Sequence, residues 1–349
     1  MQQYFKYMYK CIELARQAQG ETSPNPLVGC VIIDNNGEIV STGYHKKYGQ
    51  NHAERDALLK LDNAKDCTLV VNLEPCSHQG KTPPCTDIII EKGIKTVVYG
   101  MKDPNPIVAG KGLEKLKNAG IEIVGPVLED ECKSLNEAFV INHTQKRTFV
   151  ALKTATTIDG KIATYNGDSK WITSDCARKE VKNIRYKYDA ILTSSATVIA
   201  DNPTMEHKSK IVLDRSLKTD FSNAEIYKQG EIFVFYDECL IPPRIDKIHF
   251  IPVPVKSEKL DVKYILNVLF ELKIMSILVE TGGVLNGSFM PYIDKLYHFI
   301  APKVLGDNDG RSCFSGNVVS KIADCKNLKF DSIETFEPDI LITYKSMLK

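Results

Sequence analysis

The residues of this sequence whose types and spacing could do chemistry lie within its first 85 positions: His52, Glu54, Cys76 and Cys85. An imidazole and two thiolates are ligands that a catalytic zinc ion takes, and its open fourth position holds a water whose pKa falls to about 7. A carboxylate two residues from the ligand histidine could carry a proton from that water to a leaving amine. The pattern therefore predicts a hydrolytic zinc site with His52, Cys76 and Cys85 as ligands. Glu54 is expected to move the proton and not to be a ligand.

The sequence leaves other interpretations of these residues open. A histidine-x-glutamate pair also occurs by chance, and His78 is close enough in sequence to be the fourth ligand of a structural zinc site. If Cys85 lies at the start of a helix beginning near Thr86, the helix dipole would help to keep it a thiolate. The remaining cysteines have no histidine at ligand spacing, so core packing or incidental surface placement explains them better: Cys11, Cys30, Cys67, Cys132, Cys176, Cys239, Cys313 and Cys325.

Composition and charge narrow the class of substrate. The 349 residues are 43% hydrophobic and 26% charged, as in an ordinary globular protein. The formal net charge of +1 is spread over both signs, so the chain lacks the basic field on which nucleic-acid binding depends. No apolar run of about 18 residues could span a bilayer, and the N-terminus lacks the apolar core of a signal peptide. We therefore expect a cytoplasmic protein that binds a small molecule, with no nucleic-acid or membrane partner. A homo-oligomer is also expected.

An α/β domain is predicted to position the zinc residues. Apolar residues at helical spacing predict a helix that ends before Gly20, and Asn35, Asn36 and Gly37 predict a tight turn between two strands. Helices and strands then alternate, which indicates layers over one sheet. The predicted helices are 53–61, 86–92 and 113–118, and the predicted strands are 68–72, 96–100 and 121–124.

A polar segment at 142–147 interrupts this alternation and predicts two domains, 1–146 and 147–349. The alternation then restarts, which indicates a second α/β domain, and no internal repeat relates the two halves. Its predicted helices are 175–186, 262–272 and a glycine-led helix near 285–290. Its predicted strands are 149–156, 190–193, 210–214, 231–236, 276–280, 328–333 and 339–344.

The first half contains four motifs: SPNPLVG at 23–29, GYH at 43–45, HAE at 52–54 and, above all, PCSHQGKTPPC at 75–85. Together they resemble the bifunctional deaminase/reductase family of riboflavin biosynthesis. Cytidine and tRNA adenosine deaminases share the histidine-x-glutamate and proline-cysteine parts, but only two residues separate their cysteines. The longer insert between Cys76 and Cys85 therefore favours the riboflavin family. The resemblance continues through DPNP at 103–106 and AGI at 119–121 and covers nearly the whole chain.

This resemblance implies a cytidine-deaminase-like, three-layer α/β domain that hydrolytically deaminates a pyrimidine nucleotide. The implied substrate is a diaminopyrimidinone with a phosphoribosylamino substituent, bound by Asn25, His45, His78 and Lys81. Lys81 would meet the substrate phosphate. The alternatives are a solvated loop charge for Lys81 and a simple turn residue for Asn25.

The second half resembles the reductase domain of the same family, which looks like dihydrofolate reductase, at KTATTIDG (153–160), SKWITS (169–174), AILTSSATVIADNP (190–203) and VETGGVLNG (279–287). The segment 280–283 joins a predicted strand to a helix, so its glycines would let a phosphate approach backbone N–H groups. The resemblance implies hydride transfer from NADPH to the ribose carbon that bears the amine. It implies NADPH contacts from Thr156, Trp171, Thr197, Asp201, Gly282, Gly283 and Gly287, and substrate contacts from Ser169, Arg185 and Glu280.

Two of these residues have alternatives, and one segment departs from the family pattern. Arg185 suits phosphate because its planar fork donates parallel hydrogen bonds, but it could be an exposed helix charge. Trp171, the single tryptophan, could equally pack in the core. After Pro203 the family usually has a longer segment whose arginine grips substrate phosphate. Only six residues, 204–209, precede the next strand here, and Lys208 is the candidate replacement without bidentate geometry.

Two rival functions therefore remain. One is a deaminase of free or tRNA-borne bases with an accessory domain, against which the neutral charge argues. The other is an active deaminase whose C-terminal domain only binds nucleotide or a partner.

Overall fold

The computed structural model describes residues 1–106, 108–316 and 319–347. The chain divides into two compact units, Met1–Arg147 and Thr148–Lys349. None of the helices in the described ranges has the length and apolar character needed to cross a membrane.

In its described residues, the first unit has a five-stranded sheet and six α-helices. The strand order is β2-β1-β3-β4-β5. β1 is antiparallel to both β2 and β3, whereas β3, β4 and β5 run parallel. The strands are β1 (Gly29–Ile33), β2 (Ile39–Tyr44), β3 (Thr68–Leu73), β4 (Thr96–Met101) and β5 (Glu122–Val124). The helices are α1 (Phe5–Arg16), α2 (Ala53–Leu58), α3 (Cys85–Glu91), α4 (Lys111–Asn118), α5 (Glu129–Leu135) and α6 (Glu137–Gln145), preceded by a 3-10 turn at Gln2–Tyr4.

The packing of α1 on the sheet shows how the sequence builds this core. Met8, Cys11 and Ile12 are buried on one face of the helix. Gly29 lets that face approach closely, because an added Cβ would lie 2.1 Å from the carbonyl oxygen of Cys11. Gly37 adopts φ +82° in the turn between β1 and β2, which confirms the predicted hairpin.

The sequence patterns missed α5 and α6. The segment 142–147 was expected to be an irregular boundary, but α6 continues to Gln145. Phe139, Val140 and Ile141 are consecutive and cannot lie on one face of a helix, so α6 has no apolar stripe for a periodicity argument to find.

The second unit is built on a nine-stranded sheet of order β11-β10-β9-β8-β14-β6-β15-β18-β17. Neighbours from β11 to β15 are parallel, and β18 and β17 complete the sheet as an antiparallel pair. Its strands are β6 (Phe149–Thr157), β8 (Ala190–Ser194), β9 (Ser209–Leu213), β10 (Glu231–Asp237), β11 (Ile248–Val253), β14 (Ser276–Val279), β15 (Lys295–Ala301), β17 (Leu328–Phe336) and β18 (Asp339–Ser346).

Shorter strands and helices complete this unit. Two-stranded pairs form from β7 (Lys161–Ala163) with β16 (Arg311–Ser312), and from β12 (Val255–Lys256) with β13 (Lys259–Leu260). The helices are α7 (Asp175–Tyr186), α8 (Ser195–Asp201), α9 (Val262–Glu271) and α10 (Gly283–Phe289), with 3-10 turns at Glu225–Tyr227, Met290–Tyr292 and Ile322–Asp324. Every helix and strand predicted for this half is present, whereas α8, β11, β15 and the short strands β7, β12, β13 and β16 were missed. Since β6, β8 and β14 are parallel neighbours, the segments that follow them meet at one edge of the sheet.

Candidate active sites

The predicted metal ligands meet at the ends of three elements of the first unit. His52 is the N-cap of α2, Cys76 follows β3, and Cys85 is the first residue of α3. The Nδ1 atom of His52 lies 3.5 Å from the Sγ atom of each cysteine. All three ligand atoms lie within 4.8 Å of one another.

These distances fit a zinc ion. Tetrahedral bonds of about 2.3 Å to sulfur and about 2.05 Å to nitrogen would separate those atoms by about 3.5 Å, which is the spacing that the structure has. His78 is not part of the three-residue group, although it is among the described residues. The interpretation of a closed structural site with His78 as fourth ligand is therefore wrong.

The two thiols form a hydrogen-bonded pair. A hydrogen bond from Cys85 lowers the pKa of Cys76 to about 4, and His52 contributes to the same shift. The same contact raises the pKa of Cys85, whose backbone N–H also points at the Cys76 sulfur from 3.4 Å. Cys85 is the first residue of α3, which is the position that the helix-dipole expectation required, and whether the dipole helps to keep it a thiolate stays a prediction.

Glu54 lies in the first turn of α2, beside the ligand group but outside it. Its side chain is 3% exposed, and burial raises its pKa to about 7, with a further contribution from Cys76. The carboxyl also hydrogen-bonds with the Cys85 thiol. A buried carboxyl poised near neutral pH can both accept and return a proton.

A cavity of about 310 Å³ opens onto this group. His52, Glu54 and Cys76 lie in its wall, together with all four residues that the resemblance assigned to substrate binding: Asn25, His45, His78 and Lys81. The structure thus brings the whole predicted deaminase set together, and their contacts with substrate remain a prediction.

Asn25 and His45 form one unit in this wall. His45 is 2% exposed, and its Nδ1 lies 3.0 Å from the carbonyl oxygen of Asn51. Its Nε2 lies 3.1 Å from Nδ2 of Asn25, which fits an amide donating to the unprotonated ring nitrogen. Both nitrogens of His45 are engaged, so its evident role is to orient Asn25.

The insert between the two cysteines carries the other two residues. His78 and Lys81 lie in the cavity wall, and the Nζ atom of Lys81 stands 4.0 Å from the ring centroid of Tyr48. An ammonium group over an aromatic face stays available to an anion on its open side.

Sequence reasoning missed the role of Glu74, which organises the opposite wall. This 4% exposed carboxylate accepts backbone N–H groups from Asp103 at 3.2 Å, Gly110 at 2.9 Å and Gly112 at 3.1 Å. The described residues 103–106 and 108–112, which we name the clamped loop, contribute Asp103 and Asn105 to the cavity. The DPNP motif at 103–106 was the available signal, but it did not predict that Asp103 and Asn105 line the cavity.

In the second unit, Glu280 is the centre of a buried ion cluster. The Nε and Nη2 atoms of Arg185 donate to its two carboxylate oxygens at 2.6 and 3.1 Å, and the Nζ atom of Lys153 lies 3.3 Å away. Burial alone would raise the pKa of Glu280, but the two cations outweigh it and lower the pKa to about 2. The side chain of Arg185 is 20% exposed, so it is not an exposed helix charge.

Trp171 is 62% exposed, and the core-packing alternative for it is therefore wrong. The guanidinium carbon of Arg178 lies 4.3 Å from its ring centroid, and Lys303 donates to its carbonyl oxygen at 2.6 Å. Ser169 lies two residues before it and is half-buried. The Nζ atom of Lys170 lies 3.9 Å from Asp201, which ends α8.

The residues assigned to NADPH follow or end neighbouring strands. Thr156, in β6, pairs its hydroxyl with Nε2 of His298 at 2.9 Å. Thr197 lies in the first turn of α8, where its N–H donates to the Ser194 hydroxyl at 3.2 Å. Gly282 precedes α10, where an added Cβ would meet no atom within 4 Å, so its backbone is open to a ligand.

Two of the assigned glycines are buried in α10. A Cβ on Gly283 would lie 2.1 Å from the carbonyl oxygen of Ser312, so this position requires close approach between segments. Gly287 is buried within α10.

Lys208 cannot replace the missing family arginine. It precedes β9, where the next residues pair with the amino-terminal part of β8 (Lys210 with Ile191). Glu280 instead follows β14, at the carboxyl ends of these parallel strands. Lys208 therefore lies at the edge opposite the ion cluster, because the shortened segment enters the sheet from that side.

Comparison with known proteins agrees with this geometry. A model of the cytidine and deoxycytidylate deaminase zinc-binding region matches residues 1–101, and a model of the RibD C-terminal domain matches residues 148–342. Riboflavin biosynthesis protein RibD of Actinobacillus pleuropneumoniae is 40% identical over 358 residues, which cover 97% of this chain and 94% of that protein.

This chain belongs to the RibD family. The RibD of Aquifex aeolicus is also 40% identical, over 97% of both chains. The crystal structure of a diaminohydroxyphosphoribosylaminopyrimidine deaminase/5-amino-6-(5-phosphoribosylamino)uracil reductase from Thermotoga maritima superposes with a TM-score of 0.90 at 37% identity and covers 99% of each chain. RibD membership confirms the resemblance drawn from the motifs, and with it the cytidine-deaminase-like and reductase α/β folds.

Proposed function

We propose that this chain is a bifunctional enzyme of riboflavin biosynthesis. Its deaminase, residues 1–146, hydrolytically removes an amino group from a diaminopyrimidinone that carries a phosphoribosylamino group. Its reductase, residues 147–349, then reduces the ribosyl group to ribityl with NADPH. We expect the enzyme to act in the cytoplasm as a homo-oligomer. The observation that carries the proposal is the 3.5 Å spacing of His52 from both thiols inside a polar cavity.

In the deaminase, zinc held by His52, Cys76 and Cys85 would lower the pKa of a bound water to about 7. The chain's own residues supply proton transfer and orientation. Glu54 holds or releases a proton on its buried carboxyl. Asn25, fixed by His45, offers the polar end of its amide to the pyrimidine ring.

Lys81 and the clamped loop complete the deaminase pocket. The ammonium of Lys81, resting against Tyr48, offers a positive charge to the substrate phosphate. The opposite wall supplies Asp103 and Asn105, held in place through Glu74. The pocket is thus polar on both sides of the ligand group.

In the reductase, the hydride belongs to NADPH and the protein positions the two reactants. Lys153 and Arg185 bring two positive charges to the single carboxylate of Glu280, which leaves one positive charge in excess. That excess favours the phosphate of the substrate at this edge of the sheet. The open backbone at Gly282 and the first turn of α8 at Thr197 offer N–H and hydroxyl groups to the cofactor.

The decisive experiment separates metal binding from proton transfer by exchanging Glu54 for Gln. The variant keeps the shape of the side chain, so we expect about one zinc per chain, a loss of ammonia release by about 100-fold or more, and unchanged NADPH oxidation when deaminated nucleotide is supplied. The wild-type chain is the matched control in both assays. Ammonia release by the variant within a few-fold of wild type would show that Glu54 is not the proton carrier.

A further inference from the structure

Helix α6 closes one side of the deaminase cavity with two aromatic side chains. Phe139 and His143 lie one helical turn apart, and both line the cavity. Their ring centroids are 4.5 Å apart at an angle of 63°, so Phe139 supports the His143 ring edge-on. Neither residue belongs to a motif from which the sequence predicted a role.

The hydrogen-bonding state of His143 follows from its surroundings. Its Nδ1 atom is buried and has no hydrogen-bond partner among the described residues. Burial lowers the pKa of the ring, so at neutral pH the imidazole carries one N–H and one lone pair. A buried N–H without an acceptor is rarer and more costly than a buried lone pair. The proton is therefore on Nε2, and Nδ1 keeps the lone pair.

Nε2 is not among the buried nitrogen atoms that lack a partner, and no hydrogen bond occupies it in the described residues, so it is the accessible nitrogen of a residue that lines the cavity. We therefore take Nε2–H as the donor that His143 can offer from the wall formed by α6. When a ligand displaces water from the cavity, this donor stabilises the complex only if the ligand places a hydrogen-bond acceptor opposite it.

We propose that His143 is a substrate-binding residue of the deaminase, whose Nε2–H donates a hydrogen bond to an oxygen atom of the pyrimidine nucleotide. The assignment rests on the proposed function of this cavity. It adds a residue that helps to determine which nucleotide the cavity accepts. A carbonyl oxygen and a phosphate oxygen share this acceptor chemistry, and the substrate's own parts can distinguish them.

The test compares two amide substitutions that differ in the position of their donor. In His143→Gln the amide nitrogen reaches the position of Nε2, whereas in His143→Asn it reaches only the position of Nδ1. We expect the Gln variant to keep the wild-type KM for deamination within about twofold. The Asn variant should raise KM roughly fivefold for a neutral acceptor and tenfold or more for a phosphate, with kcat little changed.

Repeating the assay with the dephosphorylated nucleoside identifies the acceptor. If the KM of the Asn variant still exceeds that of wild type with the nucleoside, the acceptor oxygen is on the base or ribose. If the two KM values become equal with the nucleoside, the acceptor oxygen is on the phosphate. Zinc content and NADPH oxidation of the deaminated nucleotide serve as controls for folding.

Equal KM values for wild type, Gln and Asn would overturn the proposal, as would equal impairment of both variants, since that would indicate packing alone. Absence of ammonia release by the wild-type chain would overturn the proposed deaminase function as well, so the two failures are distinguishable.

Discussion

Exchanging Arg185 for Ala should destabilise the second unit more than the loss of a surface ion pair would. The substitution leaves the 7% exposed carboxylate of Glu280 with Lys153 as its remaining cation in the cluster. A buried carboxylate that loses a bidentate partner keeps its desolvation cost and loses most of the compensating attraction.

The magnitude follows from the pKa of Glu280. A shift from 4.5 to about 2 corresponds to about 3 kcal/mol of folding free energy, and breaking a buried ion pair costs about 3–5 kcal/mol in general. Lys153 remains, so we expect a loss of about 2–3 kcal/mol. Because folding lowers the pKa of this carboxyl, its ionisation stabilises the fold at pH values above the unfolded-state pKa of about 4.5. This stability is lost as the pH falls from about 4.5 to about 2.

Urea unfolding followed by the fluorescence of Trp171 is the assay, because this single tryptophan lies in the second unit. Lys182→Ala is the matched control on the same helix, since its pair with Glu206 is 66% and 72% exposed and should contribute less than about 1 kcal/mol. The difference between Arg185→Ala and wild type should shrink as pH falls below about 4.5. A loss at pH 7 no larger than that of the control would refute this reasoning.

Three further outcomes are expected. Cys76→Ser or Cys85→Ser should lose the metal, because a neutral hydroxyl replaces thiolate poorly, and metal analysis showing retained zinc would mean that the ligand set is wrong. A chelator should abolish ammonia release yet leave NADPH oxidation of the deaminated nucleotide intact; equal loss of both, with the fold intact by circular dichroism, would contradict two separate sites. Glu74→Gln should weaken the clamped loop, with faster amide hydrogen exchange at Gly110 and Gly112 and a roughly tenfold or greater rise in KM for deamination; unchanged exchange would show that Glu74 holds nothing.

The sequence predicted most elements because their patterns are local. The hairpin turn at Gly37 and the helix α7 each depend on residues within a few positions of one another. The ligand group was predictable for a different reason, since zinc chemistry restricts the residue types and a family motif restricts their spacing. His52, Cys76 and Cys85 meet as expected.

What the sequence could not predict depends on contacts between distant segments. Glu74 accepts hydrogen bonds from backbone N–H groups more than 25 positions away. The pattern of side chains along the sequence does not indicate which backbone N–H groups need such an acceptor. His143 lies in a helix without an apolar stripe. Arg185 looked like a phosphate anchor or a surface charge, and only the parallel arrangement of β14 and β6 shows that Glu280 and Lys153 reach it.

The insert between Cys76 and Cys85 has a thermodynamic consequence. Both of its ends are held at metal ligands, and its middle, with His78, Lys81 and Thr82, is a wall of the nucleotide cavity. If either occupant orders that wall, it lowers the entropy that the other must lose, so we expect metal and nucleotide to bind cooperatively, with equal coupling in both directions. The rate at which a chelator removes the metal would then measure nucleotide occupancy without any turnover.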